Sequence, residues 1–196
     1  MAEFKTSDDR PVILRTLLRS DLDAMMKFAN IMVREKRTNR DLGIVSFDKR
    51  MTRKDERKFL SMLIDGVRNK EVVSIGAFAD GRLVGHCDVR RRKPRDERHT
   101  GVLGIVILDG YRGVGVGQRL MTAAMNETRR IGVWLVELTV FSTNEPAIHL
   151  YEKMGFRRVG VVPNKMLRDG RHLDEVAMFA DLRGTDKSTS KGRPNS

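Results

Sequence analysis

The sequence predicts one α/β domain: a mixed sheet of about seven strands flanked by about four helices. Three observations predict it. Short apolar and β-branched runs, the mark of strands, alternate with longer runs whose apolar residues recur every three or four positions. The resulting order is β-α-α-β-β-β-α-β-α-β-β, which suits helices packed on a sheet. Finally, 196 residues at 40% hydrophobic and 33% charged suffice for one ordinary core. Residues 1–10 read as an N-terminal extension and 11–183 as the domain. Residues 184–196 read as a disordered basic tail of Ser, Thr, Lys, Gly and Pro without apolar pattern.

Residues 11–17 form the first strand. Ser20 or Asp21 can cap the next helix, whose inner stripe is Leu22, Met25, Met26, Ala29, Met32 and Val33. Residues 34–40 are basic and polar and read as loop. Thr52 caps a second helix, with Asp55 and Glu56 in its first turn and Phe59, Met62, Leu63 and Val67 facing inward. Residues 72–79 and 83–89 are strands joined at Asp80-Gly81, a strong hairpin signal. The basic run Arg90, Arg91, Arg92, Lys93, Arg95 and Arg98 reads as a solvated connection or as an anchor for an acidic partner. Residues 102–108 are a buried strand. Glycines 110, 113, 115 and 117 then mark a sharp loop. Leu120, Met121, Ala124, Met125, Thr128 and Ile131 follow at helical spacing. Residues 133–141 are the next strand. Asn144 caps a short helix carrying Ala147, Ile148, Leu150 and Tyr151, which ends at Gly155. Residues 156–162 and 174–182 are the last strands, with Arg168-Asp169-Gly170-Arg171 as a polar turn between them.

Strand, glycine loop and helix amino end make an anion cradle. The first N–H groups of a helix lack internal partners, and the dipole places positive charge there. Glycines let a ligand approach the backbone, so a pyrophosphate suits the site. The dinucleotide fingerprint fails, because six-residue counts from Gly113 and Gly115 land on Gln118 and Leu120. The phosphate loop of nucleotide hydrolases fails at Gln118-Arg119, where Lys-Ser/Thr is needed.

Two motifs remain. Arg112-x-x-Gly115-x-Gly117 resembles the Arg/Gln-x-x-Gly-x-Gly/Ala signature of the GCN5-related N-acetyltransferases. Asn144-Glu-Pro-Ala-Ile-His-Leu-Tyr-Glu-Lys-Met-Gly-Phe156 resembles that family's Asn-x-x-Ala-x-x-Leu-Tyr-x-Lys-x-Gly-Phe segment, after the right strand. The likeness covers residues 12–182 and is sharpest over 100–160. It is also similar, in a generic way, to protein and ribosomal-protein N-acetyltransferases. The resemblance implies a mostly antiparallel sheet and acetyl-CoA as cosubstrate, with no metal. It implies that Ile105, Val106 and Ile107 pair with the pantetheine arm and polarise the thioester carbonyl. It further implies that Arg112, Gly113, Val114, Gly115, Val116 and Gly117 hold the pyrophosphate, and that Asn144 contacts the CoA arm. Tyr151 matches the tyrosine beside the departing sulfur, where it would act as general acid; read alone, it is a core tyrosine. Residues 35–51 correspond to the segment that shapes the acceptor pocket in the family.

The general base departs from the ribosomal-protein pattern, which has a glutamate five residues before the asparagine. Thr139 stands there and cannot take a proton. Glu137 lies two residues earlier on the same strand face and reads either as the base or as an ion-paired surface carboxylate. His86, His99 and His172 are conceivable bases without a supporting motif, His149 points away from Tyr151, and Cys87 reads as a small buried residue.

The expected activity is therefore acetyl transfer to a primary amine, with a protein amine (N-terminal or lysine) as acceptor. A small amine such as a polyamine, amino acid or drug is the alternative, and a CoA-sensing or polyanion-binding module the third reading. The net charge of +12 attracts polyanions. Specific nucleic-acid binding is nevertheless not expected, since no zinc-finger, recognition-helix or aromatic-interleaved basic motif is present. No apolar run approaches the roughly 20 residues of a membrane span, no secretion signal opens the chain, and the single cysteine excludes an internal disulfide. A cytoplasmic monomer or homodimer, without a membrane partner, is the expectation.

Overall fold

The computed structural model describes residues 1–39, 42 and 49–184. They form one eight-stranded sheet and four α-helices. In chain order these are β1 (Ala2–Lys5), β2 (Pro11–Arg15), α1 (Leu22–Thr38), α2 (Arg53–Arg68), β3 (Val72–Ala79) and β4 (Arg82–Arg91). Then come β5 (Thr100–Ile107), α3 (Val116–Arg130), β6 (Leu135–Phe141), α4 (Glu145–Lys153), β7 (Arg157–Arg168) and β8 (Arg171–Asp181). The sheet order is β1-β2-β3-β4-β5-β6-β8-β7, antiparallel throughout except between β5 and β6. No described helix is long and apolar enough to cross a membrane.

Strand alternation sorts the two faces. Gly85 on β4 lies under Leu120 of α3, so Cys87 and Val89 share the α3 side. Arg90 lies over Phe59 of α2, and its partner Val72 packs on Gly66 of α2, so His86 and Asp88 share the α1–α2 side. Leu150 of α4 sits against Gly117, which puts α4 beside α3.

Several expectations need correction. The eighth strand is β1, which lies within residues 1–10 and pairs antiparallel with β2. α1 runs on to Thr38, so residues 34–38 are helix. Glu35, Lys36 and Arg37 are good helix formers, and the two bases stand at the negative end of the dipole. Asp21 occupies the cap position of α1, but its carboxylate turns back to the Leu18 N–H (2.7 Å) and to Arg15 (2.6 Å). On α2, Met62 is 44% exposed and Leu60 takes the inward position. Thr52 does cap α2, accepting from the Asp55 N–H at 3.2 Å. Residues 40, 41 and 43–48 of the expected acceptor-side loop, and the expected tail from 185 onward, lie outside the described residues.

Candidate active site

β5 and β6 pair only from Thr100–Val102 to Leu135–Glu137. Beyond that, β5 stays bonded to β4 as far as Ile107, and β6 stays bonded to β8 as far as Phe141. The two central strands therefore part into a wedge. The β5 edge along Ile105, Val106 and Ile107 lacks a neighbouring strand and is half-buried. Such an edge offers backbone donors and acceptors to an extended ligand.

At the mouth of the wedge lies the glycine loop. Gly115 caps α3 with φ 92°, and nothing stands within 4 Å of where its side chain would be. Gly117 has a different reason to be glycine: a Cβ there would meet Leu150 at 2.9 Å and Ile107 at 3.0 Å. The loop is braced from the N-terminal residues. Ser7 N–H donates to the Val114 carbonyl (3.2 Å), and Arg10 donates to the Gly110 carbonyl (2.5 Å). Arg10 also stacks 4.1 Å over Tyr111. Phe4, Lys5, Gly113, Gly115, Gln118 and Arg119 line a cleft of about 510 Å³ on the outer side of the loop. No local pattern announces this brace, because four-residue β1 is too short to show a period.

Arg112 turns inward. Its Nε donates to the Ile107 carbonyl at 2.8 Å, and its guanidinium is paired with Glu35 of α1. The other Glu35 oxygen accepts from the Asp109 N–H at 3.0 Å. The side chain thus fastens the loop to α1 and β5, while the backbone faces the mouth.

Across the mouth, Asn144 starts α4, and its Oδ1 accepts from the Ala147 N–H at 3.4 Å. Two turns on, Tyr151 is 8% exposed, with its ring 6.0 Å from Phe156. Burial, with a smaller contribution from Cys87, pushes its phenol well above the ordinary value, so it keeps its proton at neutral pH. Cys87 is fully buried and its thiol is pushed up in the same way, which leaves it inert.

Glu137 stands at the closed end of the wedge, opposite Val102. It is 40% exposed and bonded by Arg92 at 2.8 Å. Among the histidines, His99 stacks on Trp134 at 4.4 Å, and its carbonyl accepts from Trp134 and Leu135, away from the mouth. His149 and His172 are exposed. His86 is different. Its Nε2 lies 2.8 Å from Ser74 Oγ and its Nδ1 3.9 Å from Asp88 Oδ1, while Asp88 Oδ2 accepts from Arg90 at 2.7 Å. Ser74, His86 and Asp88 are all buried, on the α1–α2 side. Burial lowers the His86 pKa, Arg90 adding to the effect and Asp88 opposing it, so the ring is neutral.

Comparison with known proteins gives a consistent result. The sequence profile of the acetyltransferase (GNAT) family matches residues 39–156. The L-amino acid N-acetyltransferase AaaT of Escherichia coli K12 is 35% identical over 108 residues, 52% of this chain and 64% of its own length. The N-alpha-acetyltransferase RimI of Mycobacterium tuberculosis is 35% identical over 100 residues, 47% of this chain and 60% of its own length. The match thus spans less than two thirds of either curated relative. Among solved structures, yncA of Salmonella typhimurium with its cofactor acetyl-CoA superposes with a TM-score of 0.75 at 18% identity, covering 92% of this chain and 99% of that one. At that identity the likeness establishes a shared fold.

Proposed function

The chain belongs to the acetyltransferase (GNAT) family, and from that premise we propose that it transfers the acetyl group of acetyl-CoA to a primary amine by direct attack. The observation that carries this reading is the wedge between β5 and β6 with the glycine loop at its mouth. Acetyl-CoA supplies an activated thioester and carries a pyrophosphate. The chain has a fitting place for each part. The Gly113–Gly117 backbone and the α3 amino end take the pyrophosphate, and the open space at Gly113 and Gly115 leaves room for it. The free edge along Ile105, Val106 and Ile107 takes the pantetheine arm as an added strand and presents the outward N–H groups of Ile105 and Ile107 to the thioester carbonyl, the Val106 N–H being turned to β4. Asn144 flanks that arm from the α4 side.

Tyr151 gives its proton to the departing sulfur. The dry surroundings that raise its phenol also raise the basicity of a thiolate set beside it, which offsets part of the phenol's weaker acidity. Glu137, the carboxylate on the β6 side of the groove, serves as the base only if it lets go of Arg92.

A protein amine, N-terminal or lysine, is the acceptor this reading favours. The α1–α2 side of the wedge is open at Val102, Gly104 and Thr139, which suits a chain end laid across it. The relative named as an L-amino acid N-acetyltransferase supports a second reading, a small amine. Radiolabelled acetyl-CoA added to cell extract, with Tyr151→Phe as control, decides between them. Label in protein bands that disappears in the variant supports the protein acceptor. Label only in the low-mass filtrate moves the acceptor to a small amine. No label in either fraction, with acetyl-CoA still bound, overturns the transferase reading in favour of a CoA-binding module.

A further inference from the structure

We propose that Asp88, with His86 and Ser74 behind it, takes the proton from the acceptor's ammonium. This deepens the acetyltransferase reading above and rests on it.

Position is the first argument. Asp88 and His86 pair with Gly104 and Val106, so they lie one strand behind the edge on which the thioester carbonyl would rest. They project on the α1–α2 side, opposite Tyr151, so the two proton transfers take place on opposite faces of the sheet. Gly104 is what brings Asp88 to the wedge. A Cβ on residue 104 would stand 3.5 Å from Asp88 Oδ1, so the carboxylate lies over a bare stretch of β5 backbone that is exposed to solvent.

Cost is the second argument. Three buried polar side chains on adjacent strands of one hairpin tie together nothing that the β3–β4 ladder has not already joined. An apolar set would fill the space without the desolvation cost of the polar groups. The order of the groups excludes a nucleophilic serine: Ser74, 2% exposed, is the inner end and Asp88 the end nearest the wedge. The surroundings hold few other charges. β4 brings Arg90, which is bonded to Asp88. β5 brings Gly104 and Val106. The buried residues of α1 are all apolar, and those of α2 include one titratable group, Glu56.

The step balances. An ammonium N–H bond breaks and its proton passes to the Asp88 carboxylate, with the neutral His86 ring 3.9 Å behind it. The freed nitrogen pair forms the bond to the acetyl carbon. The carbon–sulfur bond breaks with its electron pair on sulfur, which takes the Tyr151 phenol proton. The surplus proton on the new amide nitrogen returns to Tyr151, and the proton on Asp88 leaves to solvent.

The test compares wild type, Asp88→Asn, His86→Gln and Glu137→Gln with two probes. One is a short peptide with a free α-amine, with a pKa of about 8, and the other a capped peptide with one lysine, with a pKa of about 10.4. Calorimetric acetyl-CoA affinity and melting temperature establish that each variant is folded and loaded. His86→Gln keeps a hydrogen-bonding group beside Ser74 if Asp88→Asn proves unstable. The expected result is a fall in kcat/KM of about 10²–10⁴ at neutral pH for Asp88→Asn. The acidic limb should move up toward the amine's own pKa, and the loss should be larger for the lysine probe. Loss by the same factor at every pH and on both probes, or an acidic limb that moves only in Glu137→Gln, overturns the assignment and leaves the transferase reading standing. Wild type that binds acetyl-CoA and acetylates neither probe, nor any extract protein or small amine, overturns both.

Discussion

Tyr151 and Arg112 show how much a single residue discloses from sequence and how much it hides. The Tyr151 motif pointed to an acid, and burial keeps the phenol protonated. Tyr151→Phe should lower kcat by about 10²–10⁴ and leave calorimetric acetyl-CoA affinity within twofold. Arg112 was legible as a loop residue, but its partner was not. Glu35 is 77 positions away, in a stretch whose polar character read as loop. Removing either partner should loosen the loop, so Arg112→Ala and Glu35→Gln should each weaken acetyl-CoA binding about tenfold, by the logic of a shared ion pair. The double variant should do little more, since both act through one contact. Glu56 looked like a first-turn acid, yet it is 2% exposed, and burial, with Asp55 adding, raises its pKa from 4.5 to about 7. The folded state therefore holds a proton that the unfolded chain has released between those values, so stability falls as pH rises from about 4.5 to 7. Glu56→Gln should flatten that slope in a melting-temperature series and raise the melting point at pH 8 but not at pH 4.

At the scale of elements, the hydrophobic periods located every main helix and seven strands, because each buries one face against the sheet. The Asp80-Gly81 turn was equally legible, and both residues adopt the positive φ that such a turn needs, 47° and 71°. The consequence of the β-bulge two pairs further on was not. Phe78 pairs with Leu83 and Ala77 with Gly85, leaving Val84 as the extra residue. A plain hairpin counted from the turn sets Ser74 opposite Cys87, whereas the bulge sets it opposite Asp88 and beside His86. The polar group on the α1–α2 side is therefore a product of one inserted residue, which no local pattern announces. Deleting Val84 should uncouple Ser74 from His86 and cost activity well beyond any fall in melting temperature. The glycine loop is tested by Gly115→Ala. A Cβ meets no atom there, so the strain of φ 92° acts alone, at about 1–2 kcal/mol. Much of that should appear as weakened acetyl-CoA binding if the loop relaxes to another conformation.

Over the whole molecule, the +12 charge was legible at once, and its arrangement only in three dimensions. Lys5 and Arg119 stand together at the cleft beside the glycine loop, contributed by residues more than a hundred positions apart. Association of the polyanionic cosubstrate should therefore slow as salt rises, with a steeper dependence in wild type than in Arg119→Gln; stopped-flow binding from low to physiological ionic strength measures both. The wedge has a thermodynamic corollary as well. Past Val102 the two central strands share no hydrogen bonds, so the parallel seam between the β1–β5 half and the β6–β8 half of the sheet ends early. An extended ligand seated there acts as a ninth strand, and its binding energy becomes cohesion between the halves. Amide protons of Ile105 and Ile107, which alternate away from β4 onto the open edge, should exchange quickly in the free protein and slowly in the loaded one, while those of Gly104 and Val106, turned to β4, should change less. Resistance to heat and proteolysis would then track the supply of the thioester itself.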